Sequence, residues 1–374
     1  MGKHLYLQGQ LIKEVTIPSD VTTIPVSAFQ GNEDITKVAI PANVTTIGYQ
    51  AFRKCTNLVS VSLPEDGSIE TIPHDCFFQC SKLSSINIPA SVKTFAGQGT
   101  FAYTAFTSFE IPETVEQLST YMFWHCEKLK KLTIKAPVFS LPQYFCSYCY
   151  SLENIDLPSS LAILGYASLE YCNLKQLTLS ASIRIIQKEA LLYGGRFDEE
   201  TRIWTFNDPP LKKLVILSET PPSCDSQAFL YGKLDSYYSY LKDVTLYVPS
   251  TAVRDYKADD FWKQAKAILP IEKCKAPTIT FKDGKLTVSS ATSGAECITE
   301  ITTEDIGTYS NGVIPLSMTY TVKSYAKAVG YEDSDVVTTT LDLGTMLKSI
   351  GDVNKDGTVD VADIATIIDI MAGK

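Results

Sequence analysis

The chain has 374 residues, a formal net charge of -9 from 33 basic and 42 acidic side chains, and 45% hydrophobic residues. Such a length holds about two or three domains, each long enough to bury a core, and such a charge lacks the basic surface that phosphate-backbone binding requires. The longest apolar stretches are strand-like pieces such as Leu211 to Leu217, far below the ~20 residues that cross a bilayer, and Met1-Gly2 opens without a basic and then apolar leader, so neither nucleic acid nor a membrane span is expected.

A period then runs through the chain. An apolar residue followed by proline, or by its stand-in, recurs at Ile17-Pro18, Ile40-Pro41, Leu63-Pro64, Ile88-Pro89, Ile111-Pro112, Ile134-Lys135, Leu157-Pro158 and Leu179-Ser180, in steps of 23, 23, 25, 23, 23, 23 and 22 residues. A second anchor keeps phase behind it at Ala28-Phe29, Ala51-Phe52, Cys76-Phe77, Thr100-Phe101, Met122-Phe123, Tyr144-Phe145, Ser168-Leu169 and Ala190-Leu191. Each unit reads as a short alternating strand, a proline that ends the ladder, a second short apolar segment and a compact turn. One unit cannot bury its own apolar side, but coils stacked at ~4.8 Å form a continuous core, which predicts a solenoid.

Cys55, Cys80, Cys126, Cys149 and Cys172 hold one phase shortly before the repeat's leucine. Their regularity predicts a ladder of free, buried thiols rather than a disulfide framework, and it claims Cys149 from any redox or zinc reading of Cys146-x-x-Cys149. The pairing of Cys224, Cys274 and Cys297, which lie outside this phase, stays open.

The run from Val61 to Leu83, Val-Ser-Leu-Pro, Ile-Glu-Thr-Ile-Pro, then Cys-Phe-Phe-Gln-Cys-Ser-Lys-Leu, resembles the BspA-type leucine-rich repeat, and the likeness covers about residues 11 to 270. The resemblance implies an exported, bacterial, surface-associated protein that binds other proteins or cells. The pattern breaks at 194–210, where Gly-Gly-Arg-Phe-Asp-Glu-Glu-Thr-Arg-Ile-Trp-Thr-Phe reads as an inserted hairpin. Two degenerate coils follow, Leu214 to Ser218 with Ala228-Phe229, and Leu246 to Pro249. Ser250 then suits the N-cap of a terminal helix whose Val253, Tyr256, Phe261, Ala265 and Ile268 share a face, closing the open end of the stack.

Past residue 275 the composition turns to Thr, Ser and Val, with two strands about Asp283-Gly284 and further strands at Met318 to Ala326 and Asp335 to Leu341. The pattern suits a small β-sandwich, and the stretch Tyr320 to Ser334 is similar to the accessory sandwich of chitobiase-like secreted proteins. In the tail, Gly351 to Asp363 sets oxygen side chains at loop positions suited to a hard cation, with Gly357 for the sharp turn. Asp352, Asn354, Asp356 and Asp363 would ligate Ca2+ through side chains, Thr358 through its carbonyl, and Asp360 directly or through water, in a structural role. This loop, with the helix Val361 to Met371, resembles one half of a type I dockerin; a dockerin has two halves, so the likeness does not extend to cohesin docking.

The expected fold is therefore mainly β with short helices and turns: a leucine-rich-repeat solenoid at 1–274, with the insertion at 194–210 and a cap at 246–270, an immunoglobulin-like β-sandwich at 275–345, and a calcium-loop helix tail at 351–374. The three histidines, His4, His74 and His125, stand singly, and neither a nucleophile elbow, a zinc-protease helix nor a phosphate loop is present, so no catalytic residue is assigned. The outward strand positions are small and polar, from Glu14, Lys37 and Ser60 to Gln176, and offer no anchor. The aromatic residues gather beside the second anchor instead, so Tyr121, Trp124, Tyr144, Tyr148, Tyr150, Tyr166 and Tyr171 form the candidate surface for a host or cell-surface protein. The alternative is an accessory carbohydrate-binding protein, whose glycan partner would need exposed, coplanar rings.

Overall fold

The computed structural model describes residues 6–7, 10–194, 196–198, 203–205, 208–233, 236–282, 285–305, 318–328 and 331–342. The chain divides into two compact units, Met1–Ile271 and Glu272–Lys374.

The first unit is a β-solenoid. Its first strands lie parallel in register, Glu14 beside Lys37, Ser60 and Ser85, then Ser108 beside Lys131 and Asn154, and Gln176 beside Lys213 and Thr245. Alternation carries Val38, Val61 and Leu132 inward while their neighbours face out, as a period of two requires. The first of these sheets ends at Ser85–Ile86 because the side chain of Asn87 enters the ladder: its Oδ1 accepts from Leu63 N and its Nδ2 donates to Leu63 O, both at 2.8 Å. A second row of two-residue strands stacks beyond the proline, including Thr23–Ile24, Thr46–Ile47, Ser140–Leu141, Ile163–Leu164 and Ile185–Ile186.

The compact turn of each coil is built on two residues with left-handed backbone, four apart. Ser27, Gln50, Asp75, Gly99, Tyr121, Tyr144, Ala167 and Glu189 form one row, and Gly31, Lys54, Gln79, Tyr103, His125, Tyr148 and Tyr171 the other, with φ between 51 and 72°. The pair curls the chain so that alternate amides face the next coil. In one turn, Tyr121 N donates to Gln143 O at 3.2 Å, Phe123 N to Phe145 O at 2.8 Å and His125 N to Ser147 O at 3.0 Å. Between the two rows the anchor phenylalanines point inward and stack from coil to coil, Phe29, Phe52, Phe77 and Phe101 at 5.1 to 5.7 Å between centroids and Phe123 on Phe101 at 5.9 Å, while Phe145 meets Phe123 edge-on at 5.6 Å. Each fully buried ring contributes roughly 2 kcal/mol by leaving water.

None of the ten cysteines forms a disulfide. The ladder thiols are buried and also donate: Cys55, Cys80, Cys126 and Cys149 each place Sγ 3.1 Å from the carbonyl of Phe29, Phe52, Phe101 and Phe123 respectively. Cysteine thus fits this phase as a small apolar group that still pairs a buried carbonyl. Burial pushes the thiols of Cys76, Cys80, Cys146 and Cys172 well above their ordinary range.

The insertion is a hairpin, Arg196–Asp198 antiparallel to Ile203–Thr205. A second hairpin, Leu230–Lys233 against Ser236–Ser239, lies between the degenerate coils where none was expected. The terminal segment departs further from expectation. Its helix spans only Val253–Ala258 with Ala252 at the N-cap and no side-chain cap, so Ser250 does not cap it. Asp259 breaks the helix by accepting from Phe261 N and Trp262 N at 2.9 and 3.0 Å, which opens a 3-10 turn at Trp262–Gln264. Ile268 belongs to a strand, Ala267–Pro270, that pairs parallel with Thr245–Val248. Tyr256 and Trp262 are buried and meet the stack's end, with Trp262 Nε1 donating to Pro222 O at 2.9 Å and Tyr256 Oη to Ser218 O at 3.1 Å.

The second unit holds a hairpin, Thr278–Lys282 with Lys285–Ser289, and an antiparallel sheet in the order Glu296–Asp305, Met318–Lys327, Val337–Asp342. These strands are compatible with a β-sandwich. The calcium-loop residues Asp352, Asn354, Asp356, Thr358, Asp360 and Asp363 lie outside the described residues.

Candidate functional site

The left-handed rows decide where the aromatic side chains go. A non-glycine residue in this conformation costs roughly 1–2 kcal/mol, and glycine, asparagine or aspartate meet that demand most easily. The fold uses the easy solution at Gly31, with φ 72°, and at Gly99, where a Cβ would come within 2.4 Å of Asp75 Oδ1. From residue 103 onward the same positions carry large rings, except at Ala167 and Glu189. Tyr103, His125, Tyr148 and Tyr171 stack face to face at 4.8, 4.5 and 4.6 Å. In the other row Tyr121 stacks on Tyr144 at 4.7 Å.

Trp124 lies between the rows, edge-on to Tyr121 at 5.6 Å and to His125 at 4.7 Å. Tyr166 meets Tyr144 edge-on at 5.1 Å, and Tyr150 meets Tyr148 and Tyr171 at 6.0 and 6.3 Å. The structure thus brings all seven of the sequence-derived edge residues, Tyr121, Trp124, Tyr144, Tyr148, Tyr150, Tyr166 and Tyr171, into one aromatic network, each half-buried. Ring stacking and edge contacts are worth ~0.5–1.5 kcal/mol a pair, which offsets part of the backbone cost. Because the stacked rings cover one another's faces, the edge presents ring rims and hydroxyls rather than a coplanar platform.

Other members join this site. Tyr103, an aromatic residue beside the Phe101 anchor, and His125 share the phase of Tyr148, and the repeat register alone could have found His125. Between the rows, in the phase of Trp124, stand Arg53, Phe78, Ser147 and Glu170. Arg53 lies over the Phe78 ring at 4.2 Å and pairs with the buried Asp75, beside a cleft of about 280 Å³ that also touches Gln98, Tyr121 and Trp124. Burial raises the Asp75 carboxyl, against the lowering pull of His74 and Arg53. Glu170 is only 7% exposed, and its Oε2 accepts from Ser147 Oγ at 2.6 Å. Burial, with a smaller contribution from the neighbouring Glu189 charge, lifts its carboxyl to about 7 against the lowering effect of the Ser147 bond. Tyr166 is raised by hydrogen bonding to Glu189 and Tyr144, then by burial.

Among the described residues, no group of three or more His, Cys, Asp or Glu side chains is placed to hold a metal ion. No helix among them is long and apolar enough to cross a membrane.

The sequence profile of the BspA type Leucine rich repeat region matches in six copies over residues 2–130 and 70–194. Similar solved structures include a leucine-rich repeat protein from Bacteroides ovatus, 19% identical over 70% of this chain and 86% of that one, with a TM-score of 0.40. The T. pallidum Leucine Rich Repeat protein is 25% identical over 41% of this chain and 72% of that one, with a TM-score of 0.38. A leucine rich cell surface protein from Faecalibacterium prausnitzii is 18% identical over 70% of this chain and 80% of that one, with a TM-score of 0.31. No curated protein sequence matches the chain.

Proposed function

Because this chain belongs to the BspA-type leucine-rich-repeat family, we propose that it is an exported, non-catalytic surface protein of bacterial type that adheres to a host or cell-surface protein through the aromatic edge from Tyr121 to Tyr171. The family is a repeat family rather than a catalytic one, and leucine-rich-repeat proteins mediate protein binding. The observation that carries the reading is the use of tyrosine at left-handed positions, φ 54 to 63° at Tyr121, Tyr144, Tyr148 and Tyr171. Other coils meet the same backbone demand with Gln50, Lys54 and Gln79, so the coil itself does not call for a ring, and the tyrosines instead gather aromatic side chains along one edge. Tyrosine and tryptophan are also the residues that dominate binding energy at protein interfaces.

A panel of host-matrix and cell-surface proteins, run beside a glycan array, tests the reading. The expected result is protein binding that Trp124→Ala and Tyr148→Ala each weaken by at least ~10-fold. Binding to glycans alone, or protein binding that both substitutions leave unchanged, rejects it.

For the tail we propose one structural Ca2+, on the spacing of Asp352, Asn354, Asp356, Thr358, Asp360 and Asp363 alone. Calorimetric titration with calcium should give heat of binding together with a rise in helicity, and neither signal appearing rejects the site.

A further inference from the structure

Glu170 is the one carboxylate set in the floor between the two rows of rings, and three observations make it unlike a structural acid. First, it is buried yet has no cation beside it. Ser147 Oγ, at 2.6 Å, is its only side-chain hydrogen-bond partner among the described residues, and it uses one of the two carboxylate oxygens. The other oxygen, Oε1, has no hydrogen-bond partner among the described residues and is not sealed from solvent. A buried charge that lacks a counter-ion is costly to hold, and its carboxyl, lifted to about 7 by burial, records that cost.

Second, the surroundings would favour a cation. The backbone carbonyl of Glu170 accepts from Tyr148 N at 2.9 Å, which fixes the residue against the stacked row. A second carboxylate, Glu189, lies near enough to raise it. The only described cation near these two acids is Lys188, 3.5 Å from Glu189 and exposed. Phenol oxygens at the ring rims add further acceptors for an ammonium or guanidinium group.

Third, the row of rings stops beside it. Ala167 occupies in this coil the left-handed position that Tyr121 and Tyr144 fill in the two coils before.

From these we infer that Glu170, framed by Tyr144, Tyr148 and Tyr171, receives a lysine or arginine side chain from a partner protein as the central polar anchor of the aromatic edge. The inference rests on the reading of that edge as a protein-recognition surface and adds the chemistry of what it recognises. A protein cation fits better than a free metal ion, since two carboxylates fall short of the six to eight oxygens a hard cation requires. The overall charge of -9 brings a basic segment to the surface, and the buried carboxylate fixes its register.

The probe is an octalysine peptide titrated by calorimetry into the full chain at physiological salt, which damps attraction to scattered surface charge. Glu170→Gln should weaken octalysine binding by about 10-fold, whereas Glu33→Gln, which removes the same charge from an exposed site in the first coil, should weaken it by about two-fold or less. Thermal melting verifies that each variant is folded. Should Glu170→Gln fail to fold, Ser147→Ala, which releases the carboxylate from its aim, should still weaken binding by about three-fold. Equal losses in the two glutamine variants, or no binding to the native chain, overturn the cation site. The protein-binding panel separates this failure from that of the broader reading. If Trp124→Ala and Tyr148→Ala abolish partner binding while Glu170→Gln spares it, the edge stands and the cation anchor falls.

Discussion

Glu170 and Ser168 show how single side chains depart from what the coil needs. For Glu170, the carboxyl ionises near 4.5 in an unperturbed setting and near about 7 in the folded chain. A raised carboxyl binds its proton more tightly when folded, so its contribution is intact below about pH 4.5 and is lost as the pH rises toward about 7, by roughly 3 kcal/mol in all. Glu170→Gln should therefore raise the melting temperature at pH 8 and leave it nearly unchanged at pH 4. An equal shift at both pH values would assign the effect to packing instead. Ser168 stands where Ala28, Ala51 and Ala190 stand in other coils, and its buried hydroxyl finds no partner. Ser168→Ala should stabilise the fold by about 1 kcal/mol, readable as a rightward shift in urea unfolding without a change of slope. Neither role is announced by residue type in the sequence. Aromatic residues beside an anchor point to Tyr148, whereas Glu170 carries no such signal, and its phase with Ser147 and Trp124 emerges only from the register of successive coils.

At the scale of the element, the repeating strand and turn were legible because two anchors move in phase, and the registers Glu14 with Lys37 and Ser60 follow from that spacing. The terminal segment was not, because helical periodicity across Val253, Tyr256, Phe261, Ala265 and Ile268 conceals a competing local bond. The carboxylate of Asp259 captures two amides that a continuous helix would have turned inward. The hairpin at Leu230–Lys233 and Ser236–Ser239 has no signature in the sequence because the surrounding coils are degenerate and supply no phase against which an insertion stands out. The closing segment now rests on two side chains rather than one helix face. Trp262 is fully buried, packs edge-on against Phe229 at 6.0 Å and satisfies Pro222 O. Trp262→Ala should cost about 3–5 kcal/mol. The loss should appear first as faster hydrogen exchange in the strands Thr245–Val248 and Ala267–Pro270, while coils near Phe52 stay protected. Uniform loss along the stack would mean that the end does not open independently.

For the molecule as a whole, the modular expectation came from where periodicity stops, and the chain divides into two compact units after Ile271. What composition could not convey is direction. In the turns, the donating amides run one way: Ser27 to Tyr49, Gln50 to His74, Tyr121 to Gln143, Tyr144 to Tyr166 and Ala167 to Lys188. A trans peptide sets its carbonyl opposite its N–H, so these units align head to tail along one edge of the stack. Dipoles of ~3.5 D oriented alike add along that edge, whereas beside the second strands the amides run the other way, Thr45 to Thr22, Gly48 to Ile24 and Gly165 to Leu141, so the edge of turns carries a polarity opposite to that of the neighbouring row. The electrical direction of this stack is therefore a property of each row rather than of the whole, and a partner lying along the turns meets a different backbone field from one lying along the second strands.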